Sequence, residues 1–457
     1  MKTRLESDSV GSLNIPADAY YGVQTLRGFE NFQITGLRVD GNFIKNITLI
    51  KKSAALVNGE YGYIPRPIAD AIVTACDEIL DGKFDNEFIT DRIQGGAGTS
   101  VNMNVNEVVA NRATELLGGQ KGEYLCHPND HVNHAQSTND VIPSAGKLTV
   151  LKLADDLLEK LSLLIEAFAE KARQFDHIIK MGRTQLEDAV PIRLGQEFHA
   201  YTSALQRDYR RIEAALKEMY IINLSGTAIG TRMNAEEKYV ENIVSTLSRE
   251  CGRVLEQADD LIDSTQNADC FVAVSGVLKS CAVNLSKICN DLRLMSSGPK
   301  TGLGEINLPA KQNGSSIMPG KVNPVIPEVV SQVAFLVVGN DMTITMAAEA
   351  GQLELNAFEP VIFCKLFESL TCLANAMDTL RVNCVAGITA NEKHCEELVE
   401  KSVGIVTALC PYLGYKKSAE IAKEALAKNA RVRDLILEYG LLEKELLDKI
   451  LNPYAMT

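Results

Sequence analysis

The sequence predicts a mainly all-α protein of three domains, built around a central elongated bundle of long helices. Two observations predict this class. From residue 141 onward, long stretches rich in Ala, Leu, Glu and Lys carry apolar residues at helical spacing. Several of them have roughly 30 residues, which as a helix would span about 45 Å and exceed the usual length of about 11–12 residues. Helices of this length in succession are expected to form an elongated bundle.

The N-terminal domain is predicted to cover residues 1–140 and to be mostly helical. Its first 36 positions, 1–36, contain Gly and Pro and are expected to form irregular structure or short strands over a helical core. Apolar residues at helical spacing, each run ending at Gly, predict helices over residues 42–57 and 67–80.

A Gly-rich segment, residues 95–100, precedes an amphipathic run that ends at residue 117. The segment resembles a phosphate cradle but lacks the Lys of a P-loop and the strand-turn-helix spacing of a dinucleotide site. Its Thr99 and Ser100 place two hydroxyl groups at a helix N-terminus. Such a loop is suited to binding a carboxylate.

The central domain is predicted to cover residues 141–386 and to contain the long helices. Gly and polar clusters between the helices would turn the chain at the ends of the bundle, and Pro143 and Pro191 fall near helix starts, where Pro is tolerated. The predicted helical stretches are residues 141–175, 188–222, 261–295, 325–346 and 352–385. Residues 387–457 are predicted to form a small C-terminal domain with helices over 392–409, 417–428 and 432–451.

Charge and apolar patterning narrow the class of protein. The net charge of −13 and pI near 5.1 argue against nucleic acid or an anionic membrane as a partner. No run of 18 or more apolar residues predicts a membrane span, and the start of the chain has no apolar segment typical of a signal peptide. The eleven Cys are scattered without a C-x-x-C pair, which predicts reduced thiols and a cytoplasmic location.

Four polar loops interrupt the helical pattern and contain most of the candidate site residues. They are residues 98–100, 136–140, 182–185 and 314–324. All four are rich in hydroxyl and amide groups and poor in His and Cys. Such groups bind and polarise carboxylates without a metal ion, so no cofactor is predicted.

The fourth loop combines Ser315 and Ser316 with Lys321 and Asn323, between flanking Gly and Pro residues. Gly allows positive φ and Pro removes a donor, so this segment is predicted to be a loop outside any helix. One interpretation is a capped connection in which a Ser begins the helix at residue 325. The other is a ligand-binding loop, since a hydroxyl, a cation and an amide on one loop commonly contact a ligand.

The whole string from Gly314 to Pro324 resembles the signature of the aspartase/fumarase superfamily. Three further strings, all within the first 140 residues, also resemble motifs of that family: Tyr21-Gly22-x-Gln24-Thr25, Gly98-Thr99-Ser100-x-Asn102-Met103-Asn104 and Ser137-Thr138-Asn139-Asp140. The resemblance implies a three-domain helical fold whose central bundles form a homotetramer. It also implies active sites assembled from loops of three subunits.

The resemblance further implies a role for each matched residue in eliminating a group from a succinyl skeleton to give a fumaryl product. Ser315 is expected to be the base, its alkoxide stabilised by backbone N–H groups and a nearby cation. Lys321, Asn323 and Thr184 are expected to hold one carboxylate. Thr99, Ser137, Thr138 and the Ser316 backbone are expected to hold the other, with Ser100 beside them, and Asn139 to contact the leaving group.

The residue after Gly182-Arg183-Thr184 bears on the leaving group. Fumarases of this family carry His there, whereas this chain has Gln185. Gln cannot relay protons near neutral pH but can hydrogen-bond an ammonium group. With residues 346–356, Gln185 resembles the aspartate ammonia-lyase branch, which implies L-aspartate, fumarate and ammonium as substrates and products. Hydration of fumarate is the alternative reaction, and a plain polar loop residue is the alternative interpretation of Gln185.

Three histidines, His127, His131 and His134, lie close together beside Asp130 and raise the alternative of a metal site. Without Cys or a second cluster, surface hydrogen bonding is the interpretation preferred. The segment also resembles a secondary anion-binding segment of fumarases. A non-catalytic protein on the same scaffold would be expected to lack the signature Ser or Lys, and both are present.

Overall fold

A computed structural model of the chain describes residues 2–457, apart from the side chains of residues 453 and 455. The helices are α1 (Val23–Asn31), α2 (Gly41–Glu60), α3 (Arg66–Leu80), α4 (Thr99–Leu116), α5 (Thr138–Gln174), α6 (Leu194–Ala215), α7 (Glu237–Cys251), α8 (Asp263–Gln266), α9 (Asp269–Met295), α10 (Val325–Glu349), α11 (Glu359–Asn383), α12 (Glu392–Lys401), α13 (Cys410–Leu413), α14 (Tyr415–Lys428), α15 (Val432–Glu438) and α16 (Lys444–Ile450). The strands form two-stranded pairs: β1 (Thr3–Ser7) with β2 (Ser12–Pro16), β3 (Ile179–Thr184) with β4 (Glu187–Arg193), β5 (Ile221–Ile222) with β6 (Glu256–Gln257), and β7 (Ile306–Asn307) with β8 (Thr389–Ala390). The predicted mainly helical class is confirmed.

The long helices are confirmed in number and order, but three of them begin later than predicted, the third at Asp269 and not at residue 261. Residues 188–193 belong to strand β4, because they pair with β3 as a hairpin in which Pro191, which has no N–H to donate, lies opposite Met181. The fifth long helix begins at Glu359 and not at residue 352. There the side chain of Asn356 accepts the backbone N–H of Phe358 and so turns the chain before the helix.

The chain divides into two compact units. The first contains the described residues up to Leu157 together with Arg210–Ser280 and Leu336–Cys372, and the second contains Leu158–Tyr209, Cys281–Phe335 and Leu373–Thr457. The boundaries between these units fall within the long helices α5, α6, α9, α10 and α11, and they do not correspond to the predicted division at residues 140 and 386. The three-domain division stays a prediction.

In the first unit, α2 packs on α3 and α7, and α4 packs on α1 and α3. A buried carboxylate fixes the start of α1 against α4. Glu107 on α4 accepts the backbone N–H of Gly22 at 2.8 Å and the hydroxyl of Thr25 at 2.6 Å. These bonds satisfy donors at the α1 N-terminus that have no partner within the helix.

In the second unit, the β3–β4 hairpin packs on the C-terminal helices. Ile179 and Met181 of β3 belong to a cluster of buried apolar side chains contributed by the chain beyond residue 399. Glu305, fully buried just before β7, forms ion pairs with Lys180 at 3.2 Å and Arg183 at 2.7 Å. The hairpin is thereby fixed on both faces.

By length and composition alone, α9, α10 and residues 359–387 could each cross a membrane. The prediction of no membrane span was based on uninterrupted apolar runs, and it stays a prediction. In α10 only 39% of the most apolar window is buried, so much of its apolar surface is exposed in the single chain.

Candidate active site

The N-terminus of α4 is built as an anion-binding end. Gly98 precedes the helix with φ of +88°, a left-handed conformation that Gly adopts without strain, and the first turn contains no acidic residue. Thr99 is exposed, and its hydroxyl donates to the Gly96 carbonyl at 2.7 Å, while Ser100 is half-buried. The N–H groups of Thr99 and Val101 already donate to the Gly96 carbonyl at 2.9 Å and the Gln94 side chain at 3.0 Å, so the positive end of the helix dipole and the side-chain hydroxyl groups are what this end offers to a carboxylate.

Thr99 and Ser100 line a cavity of about 500 Å³ in the first unit, together with Gln24, Arg27 and Asn129. Arg27 is already paired with Asp8 by two bonds of 2.9 and 3.1 Å. Its charge is thus largely neutralised within the protein. The uncharged donors around Thr99 are the groups of this cavity that remain for a ligand.

The start of α5 carries Ser137, Thr138 and Asn139 and is fixed by a reciprocal cap. The Ser137 hydroxyl accepts the N–H of Asn139 at 3.2 Å, and the carboxylate of Asp140 accepts the N–H of Ser137 at 2.9 Å. The second Asp140 oxygen accepts the N–H groups of Ser225 and Thr227 at 3.2 and 3.0 Å. Asp140 therefore ties the 137–139 turn to the 225–227 loop.

Asp140 is fully buried, and burial raises its pKa to about 6, although its backbone donors and the Lys51 charge act in the opposite direction. Lys51 is also fully buried, and burial lowers its pKa to about 7. Its ammonium donates to Asn133 at 2.8 Å and Gln136 at 3.0 Å, directly before the turn. A buried polar network that includes Lys51 and Asp140 thus holds the 137–139 turn in place.

Pro143 explains the orientation of Asn139. Pro has no N–H, so the Asn139 carbonyl loses its helical partner and accepts from the Asn223 side chain at 3.0 Å instead. The Asn139 side chain donates to the Ala228 carbonyl at 2.7 Å. Its amide oxygen accepts no hydrogen bond among the described residues, and it is free to accept one from a ligand.

Ser137 and Thr138 line a second cavity of the first unit, of about 380 Å³. Asn102, one turn beyond Thr99 on α4, donates to the Thr138 hydroxyl at 3.3 Å. The structure therefore links the starts of α4 and α5 through one side chain.

Thr184 and Gln185 lie at the tip of the β3–β4 hairpin in the second unit. Gln185 and Leu186 form its two-residue turn with φ of +56° and +68°, the geometry of a type I′ turn that usually requires Gly or Asn. Thr184, Gln185 and Leu186 are exposed. Left-handed conformations of such residues cost on the order of 1–2 kcal/mol each, and strain of this kind is typical of functional sites.

The Ser315 hydroxyl is bonded to backbone N–H groups of its own loop. Its Oγ accepts the backbone N–H groups of Ile317 at 3.2 Å and Met318 at 3.0 Å. Two aligned N–H dipoles stabilise negative charge on that oxygen. The predicted loop is confirmed as a loop, and Ser315 does not cap α10.

The ends of this loop are joined to each other. Gly314 N–H donates to the Lys321 carbonyl at 2.8 Å, and the Asn323 side chain donates to the Gly314 carbonyl at 2.7 Å. A Cβ at Gly314 would lie 2.6 Å from the Lys321 carbonyl oxygen, so only Gly fits there. The Ser316 and Lys321 side chains are exposed, and the intervening Ile317 is 84% exposed. The ends of the loop are thus held together, while polar and apolar side chains between them are exposed.

The predicted site residues therefore form two sets, each described within its own unit. Thr99, Ser100, Ser137, Thr138 and Asn139 lie in the first unit, and Thr184, Gln185, Ser315, Ser316, Lys321 and Asn323 lie in the second. Sequence reasoning missed the supporting residues Lys51, Asn102 and Asp140. A Lys within the apolar run of α2 and the Ser137-x-x-Asp140 spacing of a capping box were the available signals.

The histidine segment makes local bonds and forms no common site. His127 Nδ1 accepts N–H groups of residues 129 and 130 at the start of a π-helical turn, Pro128–Val132. His131 accepts the N–H of His127 at 2.8 Å, and His134 pairs with Glu236 at 3.0 Å. Across residues 2–457 no group of three or more His, Cys, Asp or Glu is arranged to hold a metal ion.

Known proteins resemble this chain in sequence and in fold. Residues 11–339 match the family model described as Lyase, and residues 405–457 match the Fumarase C C-terminus. A Bacillus sp aspartate ammonia-lyase is 52% identical over 99% of this chain and 97% of its own. The cobalt-bound crystal structure of fumarate lyase:delta crystallin from Brucella melitensis has a TM-score of 0.97 at 49% identity, covering 100% of this chain and 99% of that one. A recombinant class II fumarase from Schistosoma mansoni has a TM-score of 0.96 at 36% identity, covering 99% and 98%.

Proposed function

This chain belongs to the Lyase family, and from that premise we propose that it eliminates ammonia reversibly from L-aspartate to give fumarate. It is a carbon–nitrogen lyase of the aspartate ammonia-lyase type. The fold alone does not select this reaction, because the Brucella melitensis protein and the class II fumarase match it almost equally well in shape.

The observation that carries the assignment is the difference in sequence identity. Aspartate ammonia-lyases from several bacteria share 49–53% of residues with this chain over 98–99% of its length, whereas the class II fumarase shares 36%. Gln185 supports the same choice, since it stands where fumarases of the family carry His. Its amide can pair with an ammonium group but cannot act as a general acid or base near neutral pH.

In the proposed reaction Ser315 removes a proton from Cβ of L-aspartate. The resulting aci-carboxylate carries two negative charges, so donors directed at its oxygens supply most of the catalysis. We assign these donors to Thr99, Ser137, Thr138 and the Ser316 backbone. The two N–H groups on Ser315 Oγ support the alkoxide form that the step needs.

The second carboxylate and the leaving group are assigned to the other loops. Lys321, Asn323 and Thr184 hold the α-carboxylate, and Lys321 adds the positive charge that a substrate dianion requires. The unpartnered amide oxygen of Asn139 and the amide of Gln185 accept hydrogen bonds from the departing nitrogen. No metal ion or cofactor enters these steps.

The assembly we propose is a homotetramer whose sites combine loops of three subunits. Its support is an apolar stripe along α10, where Phe335, Val338, Met342 and Met346 are 67%, 41%, 64% and 59% exposed. This spacing of three or four residues places them on one helix face. An exposed apolar face of that length is typical of a subunit contact.

The reaction is tested by following fumarate absorbance after adding purified protein. Fumarate with ammonium should be consumed rapidly, and fumarate in water without ammonium should not. Equal consumption in both mixtures would favour the hydratase and overturn the proposal.

Subunit sharing is tested by complementation. Ser315→Ala and Asn139→Ala proteins should each be inactive, and tetramers mixed from the two should regain up to about a quarter of the activity if the two residues come from different chains. Tetramers that contain only one of the two variants are the matched control. No recovery in mixed tetramers of confirmed composition would show that each site uses both residues of one chain.

A further inference from the structure

The first unit contains a third cavity, of about 270 Å³, which is distinct from the two cavities that the predicted site residues line. One wall is a continuous face of α11, formed by Pro360, Phe363, Cys364, Phe367, Glu368, Thr371 and Cys372. Their spacing of one, three or four residues places them on one side of the helix. The facing wall comes from Phe43 on α2 and Val101 on α4.

The interior of this cavity is aromatic and apolar. The rings of Phe43, Phe363 and Phe367 lie within 5.4–5.7 Å of one another, and Phe363 and Phe367 are parallel to within 7°. Burial raises the pKa of Cys364, so its thiol stays neutral and adds to the apolar wall. A flat or branched apolar body of about the size of a benzene ring fits a space of this volume.

Among the polar groups of this cavity, one buried N–H donor has no hydrogen-bond acceptor. Asp40 is occupied as the N-cap of α2, where it accepts the N–H of Asn42 at 2.8 Å. Glu368 accepts from Lys365 at 2.8 Å and Asn340 at 3.1 Å. Arg92, in contrast, has a buried Nε with no hydrogen-bond partner anywhere in the part of the chain that the structure describes.

A buried guanidinium N–H without an acceptor is costly, and its presence calls for a ligand or water that supplies one. Arg38, whose side chain bonds among the described residues 2–457 only to the Asn86 carbonyl at 3.3 Å, lines the same cavity. Asp40 and Glu368 balance the two arginines in charge, so the specific polar feature next to the apolar interior is the Arg92 Nε–H that lacks an acceptor. A carboxylate attached to a small apolar body matches both features.

We propose that this cavity is an effector site for a small monocarboxylate with an aromatic or branched aliphatic body. The carboxylate accepts from Arg92, and the apolar body lies against Phe43, Phe363 and Phe367.

The wall of this cavity connects it to the substrate loops. Gly98 and Ile142 line it, and a Cβ at Gly98 would lie only 3.0 Å from the Ile142 side chain. Gly98 directly precedes Thr99, and Ile142 lies one helical turn after Thr138. No free space remains between Gly98 and Ile142. A ligand bound against this wall therefore shifts the first turns of α4 and α5 and changes the KM for L-aspartate. This effector role rests on the proposed function, whereas binding to the cavity does not.

Binding is tested by calorimetry on the intact protein with benzoate as the probe and benzyl alcohol as its neutral analogue. Benzoate should bind at one site per chain, and Arg92→Met should weaken it by about tenfold or more, since a charge-assisted bond is lost. Benzyl alcohol should bind more weakly and be nearly insensitive to Arg92→Met. Arg66→Met is the matched control, because Arg66 is exposed and remote from this cavity.

A second variant tests whether benzoate binds in this cavity or elsewhere on the protein. Cys372→Phe adds a ring at the edge of the cavity and should abolish benzoate binding, whereas Cys251→Phe, at a half-buried position outside it, should not. No saturable binding at millimolar benzoate, an unchanged affinity in Arg92→Met, or full retention in Cys372→Phe would each overturn the proposed site. Binding without any change in KM would overturn the effector role alone.

Discussion

Replacing Asp140 with Asn tests whether the buried carboxylate holds the substrate-binding turn in place. The folded pKa of about 6 lies above the ordinary value of 3.8, so the protonated form is favoured by folding. That contribution to stability is fully present below pH 3.8 and is lost as the pH rises through 6. At pH 8 the ionised group therefore opposes folding by about 3 kcal/mol.

Asn removes this ionisation cost but offers one acceptor oxygen where Asp140 offers two. Three N–H groups converge on the carboxylate, from Ser137 on one oxygen and from Ser225 and Thr227 on the other. Whichever way the amide is turned, at least one N–H faces the NH₂ group, at a cost of about 1–3 kcal/mol. The two effects nearly offset, so the free energy of unfolding at pH 8 should change by less than about 2 kcal/mol.

The loss should appear in substrate binding, because the turn that carries Thr138 and Asn139 is no longer tied to the 225–227 loop. We expect the KM for L-aspartate to rise by about tenfold, which corresponds to one hydrogen bond of about 1.4 kcal/mol. In the wild type, lowering the pH through about 6 should raise KM in the same way, and the variant should lack this part of the pH profile.

Steady-state kinetics and thermal unfolding measured on the same samples separate these effects. Asp341→Asn is the matched control, since Asp341 is buried and bonds to Ser275 at 2.8 Å away from the substrate loops. It should lower stability and leave KM unchanged. A KM for Asp140→Asn within twofold of wild type, or an unchanged pH profile between pH 5 and 7, would refute the reasoning.

Three further outcomes are expected. Ser315→Ala should lose a factor of about 10²–10⁴ in kcat and still bind L-aspartate in calorimetry. Ser316→Ala keeps its backbone N–H and should lose far less. Near-normal turnover of Ser315→Ala would show that Ser315 is not the base. The kcat/KM for L-malate should be lower than that for L-aspartate by a factor of up to about 10⁴. Gln185→His should lower the rate of deamination without creating an efficient hydratase. Comparable kcat/KM values for L-malate and L-aspartate in the wild type would contradict the leaving-group assignment. Chelation followed by dialysis should leave the basal deamination rate intact, and a complete loss at every pH that one metal ion restores would show that a metal is required.

The sequence by itself determined the class of fold and the candidate chemistry, because both depend on local patterns. The long helices follow from apolar residues repeating every three or four positions, and α2, α3, α4, α5 and α10 lie close to where that repeat predicts them. The loop around Ser315 follows from the conformational limits of its Gly and Pro residues. The resemblance to the aspartase/fumarase superfamily, carried by strings such as Gly314 to Pro324, is confirmed by the family match over residues 11–339.

Only the tertiary structure decided how the backbone near the site is arranged. Residues 187–193 have an apolar pattern compatible with a helix, but pairing with β3 and contacts with residues 403–409 and 453–456 make them a strand. The left-handed conformations of Gln185 and Leu186 follow from that hairpin and not from their own preferences.

The supporting residues depended on tertiary structure for the same reason. Lys51 lies far along the chain from Gln136, and Asp140 from Thr227, and periodicity carries no information on which distant residues meet. The unpartnered Nε of Arg92 likewise became visible only once the neighbours of that side chain were known. Local preferences fix which segments are helices, whereas burial and long-range hydrogen bonding fix which polar groups remain free to bind a ligand.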